Sequence, residues 1–355
     1  MKKAIRYIII IVTFSGCSAG IIHSQQSQPF TQYLFNRYLL NPAACGANGH
    51  SMVGITIKDQ WTGFGDAPFN QTLTGQMRLP RGGLFGGGGS APVRMGGGGY
   101  NPENVGLGIA LFNDIRGPLR TTGTHLTYAY HLEGGEGQLS FGITGSIFQL
   151  SVNRNKIRTE KEFDEFLDNN KLNNMVPDFS FGLHYTQRDF YVGLSASHLF
   201  QSYLTFGGRA SEEHRIERQY TFIGGYIFEP SREFSIVPTA QLKYVERGAV
   251  QLDVNVIGYH FDIFWGGLSY RTGGGGTLGG AAVIFGVRYN NYYFGYAFDY
   301  TISPIQRYTF GSHELMVNVS LNRAARFFQY ARRYEFQDSE QQWRRARSRG
   351  LVGSD

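Results

Sequence analysis

From residue 50 to residue 322 the chain keeps returning to one pattern, in which large apolar side chains take every second position and small or polar ones fill the gaps. The stretch NNYYFGYAFDYTI, residues 290 to 302, is the sharpest case. Tyr292, Phe294, Tyr296, Phe298, Tyr300 and Ile302 share one parity, and Tyr293, Gly295, Ala297, Asp299 and Thr301 share the other. A period of two places successive side chains on opposite faces of a strand, so each such segment has one greasy side and one wet side.

Fourteen segments follow this rule, near 50–60, 70–80, 104–113, 121–132, 137–152, 178–187, 189–201, 218–229, 234–245, 249–260, 261–271, 280–290, 291–302 and 311–322. Each is bounded by Gly, Asn, Asp or Pro turn signals. Most run longer than the modal strand of about 5 or 6 residues and approach the roughly 9 to 11 needed by a tilted strand to cross a bilayer. In hydrocarbon every backbone N–H and C=O must find a partner inside the protein, so a sheet survives there only by closing on itself. The pattern therefore predicts an all-β fold, a transmembrane antiparallel barrel of about fourteen strands over 50–322. Soluble sandwiches bury a greasy face against a second sheet, and so remain an alternative on periodicity alone.

Connection lengths test this independently, because bacterial barrels have short periplasmic turns and longer external loops. With the first strand running outward, the inner connections fall near 133–136, 188, 230–233, 260–261 and 290–291, all short. The outer ones include 153–177, with KIRTEKEFDEFLDNNKLNN, and 202–217, with SEEHRIER. Residues 81–103, rich in glycine, break the rule: either this is a long inner loop or the pairing slips there.

The first residues carry Lys2, Lys3 and Arg6, an apolar run from Tyr7 to Phe14 and then small residues, the layout of an export signal cleaved after Ser24. A lipobox reading around Cys17 is weaker, since Phe14 is a poor residue three places before the cysteine. No later run reaches the roughly 20 apolar residues of a membrane helix. Once the signal is removed Cys45 is the only cysteine, which excludes an internal disulfide. The net charge of +6 is concentrated at the ends, and residues 323–355 alone carry eight arginines against four acids.

Signals of catalysis are thin. The nine histidines show no HExxH spacing, and neither GITGSIF around Ser146 nor GLSASH around Ser195 completes a GxSxG elbow. His125 and His131 share the wet parity of one segment, and without a cysteine or carboxylate at ligand spacing they read as hydrogen-bonded lumen histidines rather than metal ligands. The GGGG runs at 86–89, 96–99 and 273–276 lack the GK[ST] that would make a phosphate loop. The expectation is a non-enzyme with no cofactor and no metal.

Two parts lie outside the alternation. Residues 25–49 hold aromatics and leucines without a clean period and predict a short helix or a segment at or in the barrel lumen. The tail 323–355 interleaves arginines with Phe327, Phe328, Tyr330, Tyr334, Phe336 and Trp343. A solvated charged tail is one reading. The mixture of arginine and aromatics, typical of binding hot spots, favours a docking arm carried by Arg332, Arg333, Trp343, Arg344, Arg345 and Arg347. Export to the envelope argues against nucleic acid as the partner.

The segment QPFTQYLFNRYLLNPAACG at 28–46, followed by KDQWTGFGDAPFNQTLTG at 58–75, resembles the opening of the PorP/SprF family of outer-membrane proteins. The matching positions are Phe30, Gln32, Tyr33, Phe35, Asn36, Asn41, Pro42, Ala43 and Gly46, then Gln60, Trp61, Ala67, Pro68 and Gln71. The ending GSHELMVNVSLN at 311–322 is similar to the family's closing strand. Departures are Cys45 in place of an aromatic, Lys58-Asp59 in place of Arg-Asn, and the longer tail.

The resemblance implies a component of the type IX secretion and gliding system of Bacteroidota. It implies an integral outer-membrane protein, non-catalytic, whose partners are lipid, periplasmic ring proteins or a peptidoglycan-binding linker, and a cargo C-terminal sorting domain. An even strand count places both chain ends in the periplasm. A porin-like or lipid-uptake channel with the N-terminal segment as its plug is the alternative.

Overall fold

The structure is a computed structural model that describes residues 30–49, 51–79, 104–134, 137–153, 156, 173–206, 209–231, 233–248, 250–272, 279–302 and 304–321. Its strands, in chain order, are β1 (Met52–Asp59), β2 (Phe69–Arg78), β3 (Val105–Arg116), β4 (Leu119–Gly134), β5 (Gly137–Val152), β6 (Asn173–Gln187), β7 (Phe190–Ser197), β8 (Tyr203–Phe206) and β9 (Arg209–Arg215). There follow β10 (Gln219–Tyr226), β11 (Phe234–Val245), β12 (Val250–His260), β13 (Phe264–Arg271), β14 (Gly280–Tyr289), β15 (Tyr292–Thr301) and β16 (Ser312–Ser320). Fourteen of them close into one antiparallel barrel, each strand pairing with its neighbour in sequence except that β7 pairs with β10 and β16 returns to β1. The fourteen alternating segments of the sequence are these fourteen strands.

Side chains sort by parity, as a membrane requires. Leu126, Tyr128 and Leu132 of β4 face outward, while Thr127, Ala129 and His131 are buried within. On β15, Tyr292, Phe294 and Tyr300 are exposed and Tyr293, Ala297 and Thr301 are buried. Among the described residues, 46 large apolar side chains are exposed. At about 1.5–3 kcal/mol for taking each such side chain out of water, a surface of this kind is stable only in lipid.

The two barrel ends differ. At one, the connections β6–β7, β12–β13 and β14–β15 span only two or three residues. At the other lie 60–68, 153–172, 198–218 and 302–311. These are called below the turn end and the loop end. Exposed aromatics mark both: Phe228, Phe261, Phe264 and Tyr289 near the turn end, and Phe200, Tyr244, Tyr270, Tyr308 and Phe310 near the loop end. Such girdles sit at the headgroup level of a bilayer.

Three boundaries differ from the expectation. The β3–β4 hairpin is tighter, turning at Gly117-Pro118, because Asn113 to Arg116 and Leu119 to Arg120 continue the ladder with polar side chains beyond the apolar pattern. Strand β6 begins at Asn173 instead of 178, which shortens the loop read as 153–177. Residues 202–217, read as a loop, contain the β8–β9 pair outside the barrel. Outside the barrel wall a hairpin need not carry the parity that lipid imposes on the wall strands. The pairing does not slip at 81–103, since β2 and β3 pair directly along their length; the connecting residues themselves lie outside the described residues.

Candidate functional site

The described part of the N-terminal segment folds into two short 3-10 turns, Tyr33–Leu39 and Pro42–Ala44, that pack against the inward faces of the strands. Leu40 ends the first and Asn41 starts the second: the Asn41 side-chain oxygen accepts from Ala43 N at 3.0 Å, and Pro42 takes the first helical position, where its missing N–H costs nothing. Because a short segment cannot satisfy its own backbone, the barrel wall does so.

The contacts surround the segment. Asn41 Nδ2 donates to the carbonyls of Leu183 on β6 and Leu194 on β7, at 2.8 and 3.2 Å. Ser195 Oγ donates to Leu40 O at 2.6 Å. Tyr38 Oη donates to Ile109 O on β3 at 2.8 Å. His131 Nε2 lies 3.0 Å from Cys45 O, with Nδ1 on Ser140 Oγ at 2.8 Å. Gln76 Oε1 accepts from Gly46 N at 3.2 Å, and Gln138 Nε2 donates to Ala47 O at 3.3 Å. Room for this approach comes from the wall itself: a Cβ at Gly142 would overlap the Pro42-Ala43 backbone, and one at Gly182 would overlap the Asn41 side chain.

Toward the turn end the lumen is dry. Tyr33, Leu34 and Phe35 join Tyr191, Ile223, Val237, Ile257, Tyr259, Trp265, Ile284, Tyr293 and Met316 in one apolar cluster, with Phe30 partly buried against it. The Phe35 and Trp265 rings are 5.0 Å apart, and the Arg37 guanidinium stands 4.5 Å over the Tyr191 ring. Cys45 is fully buried, and that burial pushes its thiol well above the usual range, which makes it an inert packing group.

Toward the loop end the contacts are ionic. Glu314 on β16, fully buried, accepts Thr31 N at 2.8 Å and Gln32 N at 2.9 Å. Thr31 Oγ1 donates to Asp299 at 2.7 Å. Lys58 Nζ lies 2.6 Å from Asp299 Oδ2, 3.0 Å from Thr31 Oγ1 and 3.4 Å from Glu314 Oε2. Lys58 and Glu314 are direct partners across the β1–β16 seam. A buried charge survives only when paired and hydrogen-bonded, and here one cation serves two carboxylates with the segment's own backbone as a further donor set.

The second motif closes over the same seam at the loop end. Gln60 N donates to Pro68 O at 2.9 Å, closing the β1–β2 loop. Trp61, held at φ +56, donates from its backbone to Ser312 Oγ at 3.1 Å and from its indole to Thr301 Oγ1 at 3.3 Å. Thr62 and the 310–311 backbone exchange two bonds of 2.8 Å. Asn36 reaches Thr74 at 3.4 Å, and Gln71 on the outer parity of β2 accepts from Asn113 Nδ2 at 3.1 Å.

The structure thus brings the Thr31-Gln32 start of the opening motif, the Gln60-Trp61…Pro68 motif and the closing strand together where the last strand meets the first, while Asn41 and Pro42 of the opening motif lie across the lumen on β5 to β7. Sequence reading missed Asp299, although its lone carboxylate on the small-residue parity of an aromatic strand was a visible signal. Arg332, Arg333, Trp343, Arg344, Arg345 and Arg347 lie outside the described residues. His125 bonds Ser146 Oγ at 2.6 Å, and among the described residues no group of three His, Cys, Asp or Glu side chains is placed to hold a metal ion.

Known proteins were compared with the chain. The family described as "Type IX secretion system membrane protein PorP/SprF" matches residues 22–319. No curated protein matches. Similar solved structures include the Acinetobacter baumannii outer membrane protein Omp33, 8% identical with a TM-score of 0.43, covering 77% of this chain and 98% of that one. The CymD monoaromatic hydrocarbon channel is 11% identical with a TM-score of 0.45, covering 86% and 93%. The Ralstonia pickettii toluene transporter TbuX is 10% identical with a TM-score of 0.42, covering 86% and 94%. With a match over most of its length, and with Thr31-Gln32, the Gln60-Trp61 loop and the closing strand meeting at the seam of a closed barrel, the chain belongs to the PorP/SprF family of type IX secretion system membrane proteins, in the outer membrane.

Proposed function

We propose that this barrel is a non-catalytic anchor of the type IX secretion and gliding system, holding periplasmic machinery or a secreted cargo domain to the outer membrane. The observation that carries the reading is the filled lumen: residues 31–47 are tied by hydrogen bonds to β2 to β7 on one side and to β16 on the other, with an apolar cluster beneath. A pore needs an aqueous path, whereas a platform gains rigidity from a packed interior. The turn end then faces the periplasm, as short connections do in bacterial barrels, and Met52 and Ser320 open on that side. Signal cleavage after Ser24 delivers the chain there.

In this arrangement the arginine-rich tail, from Arg323 onward, is the docking arm for periplasmic ring proteins or a peptidoglycan-binding linker, and the loop end is the face for a cargo C-terminal domain. The test pairs two measurements on detergent-purified protein. Intact barrels in planar bilayers should be electrically silent, and pull-down should recover envelope companions with the full chain but not with a chain ending at Asn322. A steady open conductance in the intact protein would overturn the anchor in favour of a porin-like or lipid-uptake channel. Equal recovery by both chains would remove the tail as the docking element.

A further inference from the structure

The inner wall of β11 to β13, beside the ionic contacts at the loop end, carries polar groups that neither the segment nor the wall satisfies. Gln241 is 1% exposed and both its side-chain atoms lack a hydrogen-bond partner; Asn255 is 0% exposed and the same holds for its two. The Tyr33 hydroxyl, buried within electrostatic reach of Asp253 and Arg271, is also unpartnered. Lys243 is 5% exposed, and among the described residues no hydrogen bond or ion pair reaches its ammonium.

These groups are neighbours by register. Gln241 stands opposite Asp253, Lys243 opposite Gln251, and Asn255 between Thr239 and Ser269. Directly paired residues on one face of a sheet place their Cβ atoms about 4.5–5.5 Å apart. Arg271 Nε and Gln251 Nε2 both donate to Asp253 Oδ1, at 3.1 and 2.7 Å. Arg271 is thus the cation that pairs with Asp253, while Lys243, opposite Gln251, has no carboxylate within ion-pair distance among the described residues. Unused donors outnumber unused acceptors, since the ammonium, two amides and a phenol face only two amide oxygens and Asp253 Oδ2.

Leaving such groups empty costs about 1–3 kcal/mol for each buried polar atom, and more for a charge. Water can relieve the neutral groups, whereas an anion would answer the ammonium and the amides together. We propose that this wall is a binding site for a small oxyanion of single negative charge, a carboxylate or a phosphate monoanion, held by Lys243 with Gln241, Asn255 and the Tyr33 hydroxyl. Arg271, with 16% of its side chain exposed, stands beside it on Asp253.

The experiment uses the full-length protein in detergent, with acetate, inorganic phosphate and chloride as probes at matched ionic strength and the thermal unfolding midpoint as readout. A saturable rise with acetate or phosphate, absent with chloride, is expected, and whichever of the two acts at lower concentration identifies the ligand's head group. Lys243→Met should weaken the apparent affinity at least roughly tenfold, about 1.4 kcal/mol, and Lys243→Arg should retain it. Asn255→Leu serves as a second variant if Lys243→Met does not show the heat-modified gel shift of a folded barrel. Identical, non-saturating responses to all three salts, or a saturable rise that neither variant weakens, would overturn the site.

Discussion

The two halves of the lumen solve the same problem with opposite chemistry. Near the turn end, Phe35 is seated among Trp265, Tyr293 and their neighbours, and stability comes from apolar area and close packing. Near the loop end, Thr31 and Gln32 are held by Glu314, Asp299 and Lys58, and stability depends on every charge keeping its partner. The dry half degrades gradually when atoms are removed. The ionic half fails in steps, because a lost partner strands the charge left behind.

That contrast can be broken by substitution. Glu314→Ala should have the largest effect, about 4 kcal/mol, since it leaves two backbone N–H groups without an acceptor in a closed interior and Lys58 with Asp299 as its remaining carboxylate; urea unfolding followed by gel mobility measures it. Glu314→Gln keeps the shape and one acceptor and should recover part of the loss. Phe35→Ala should cost about 3 kcal/mol through the cavity it leaves. A larger loss for Phe35→Ala than for Glu314→Ala would break the comparison outright. Asn41→Ala, which removes a turn cap and two donations to the wall, should cost about 1–2 kcal/mol and raise hydrogen exchange at Ala43. Smallest of all, Asp66→Asn dissolves an exposed ion pair with Lys156, 2.6 Å long, and should shift the unfolding midpoint by less than about 0.5 kcal/mol equivalent.

Much of the barrel was legible because lipid imposes a two-residue rhythm that turns interrupt. Where lipid does not reach, the rhythm vanishes: the polar ends of β3 and β4, the first residues of β6 and the β8–β9 pair were all read short or missed. The site was legible in a different way. Phe30, Gln32, Tyr33, Phe35, Asn36, Asn41, Pro42, Gln60, Trp61 and Pro68 could be named from motif alone, but their places around the lumen, Gln32 at the seam and Asn41 on β6 and β7, could not, since Glu314 is 282 residues from Gln32 along the chain. Nor could periodicity single out Asp299 or the unsatisfied wall of Gln241 and Asn255. Inward positions are polar on nearly every strand, so polarity does not say which of them lack a partner.

The link from Thr31 and Gln32 to Glu314 has a consequence for assembly. The carboxylate that fastens Thr31 and Gln32 is synthesised late, so that end of the early segment must wait, unsecured, until fourteen strands have found their order. A ring that shuts on its own content in this way cannot be finished in part: translation stopped ahead of residue 314 would leave the cylinder open and its filling loose at once, and quality control in the envelope would meet a single kind of defect.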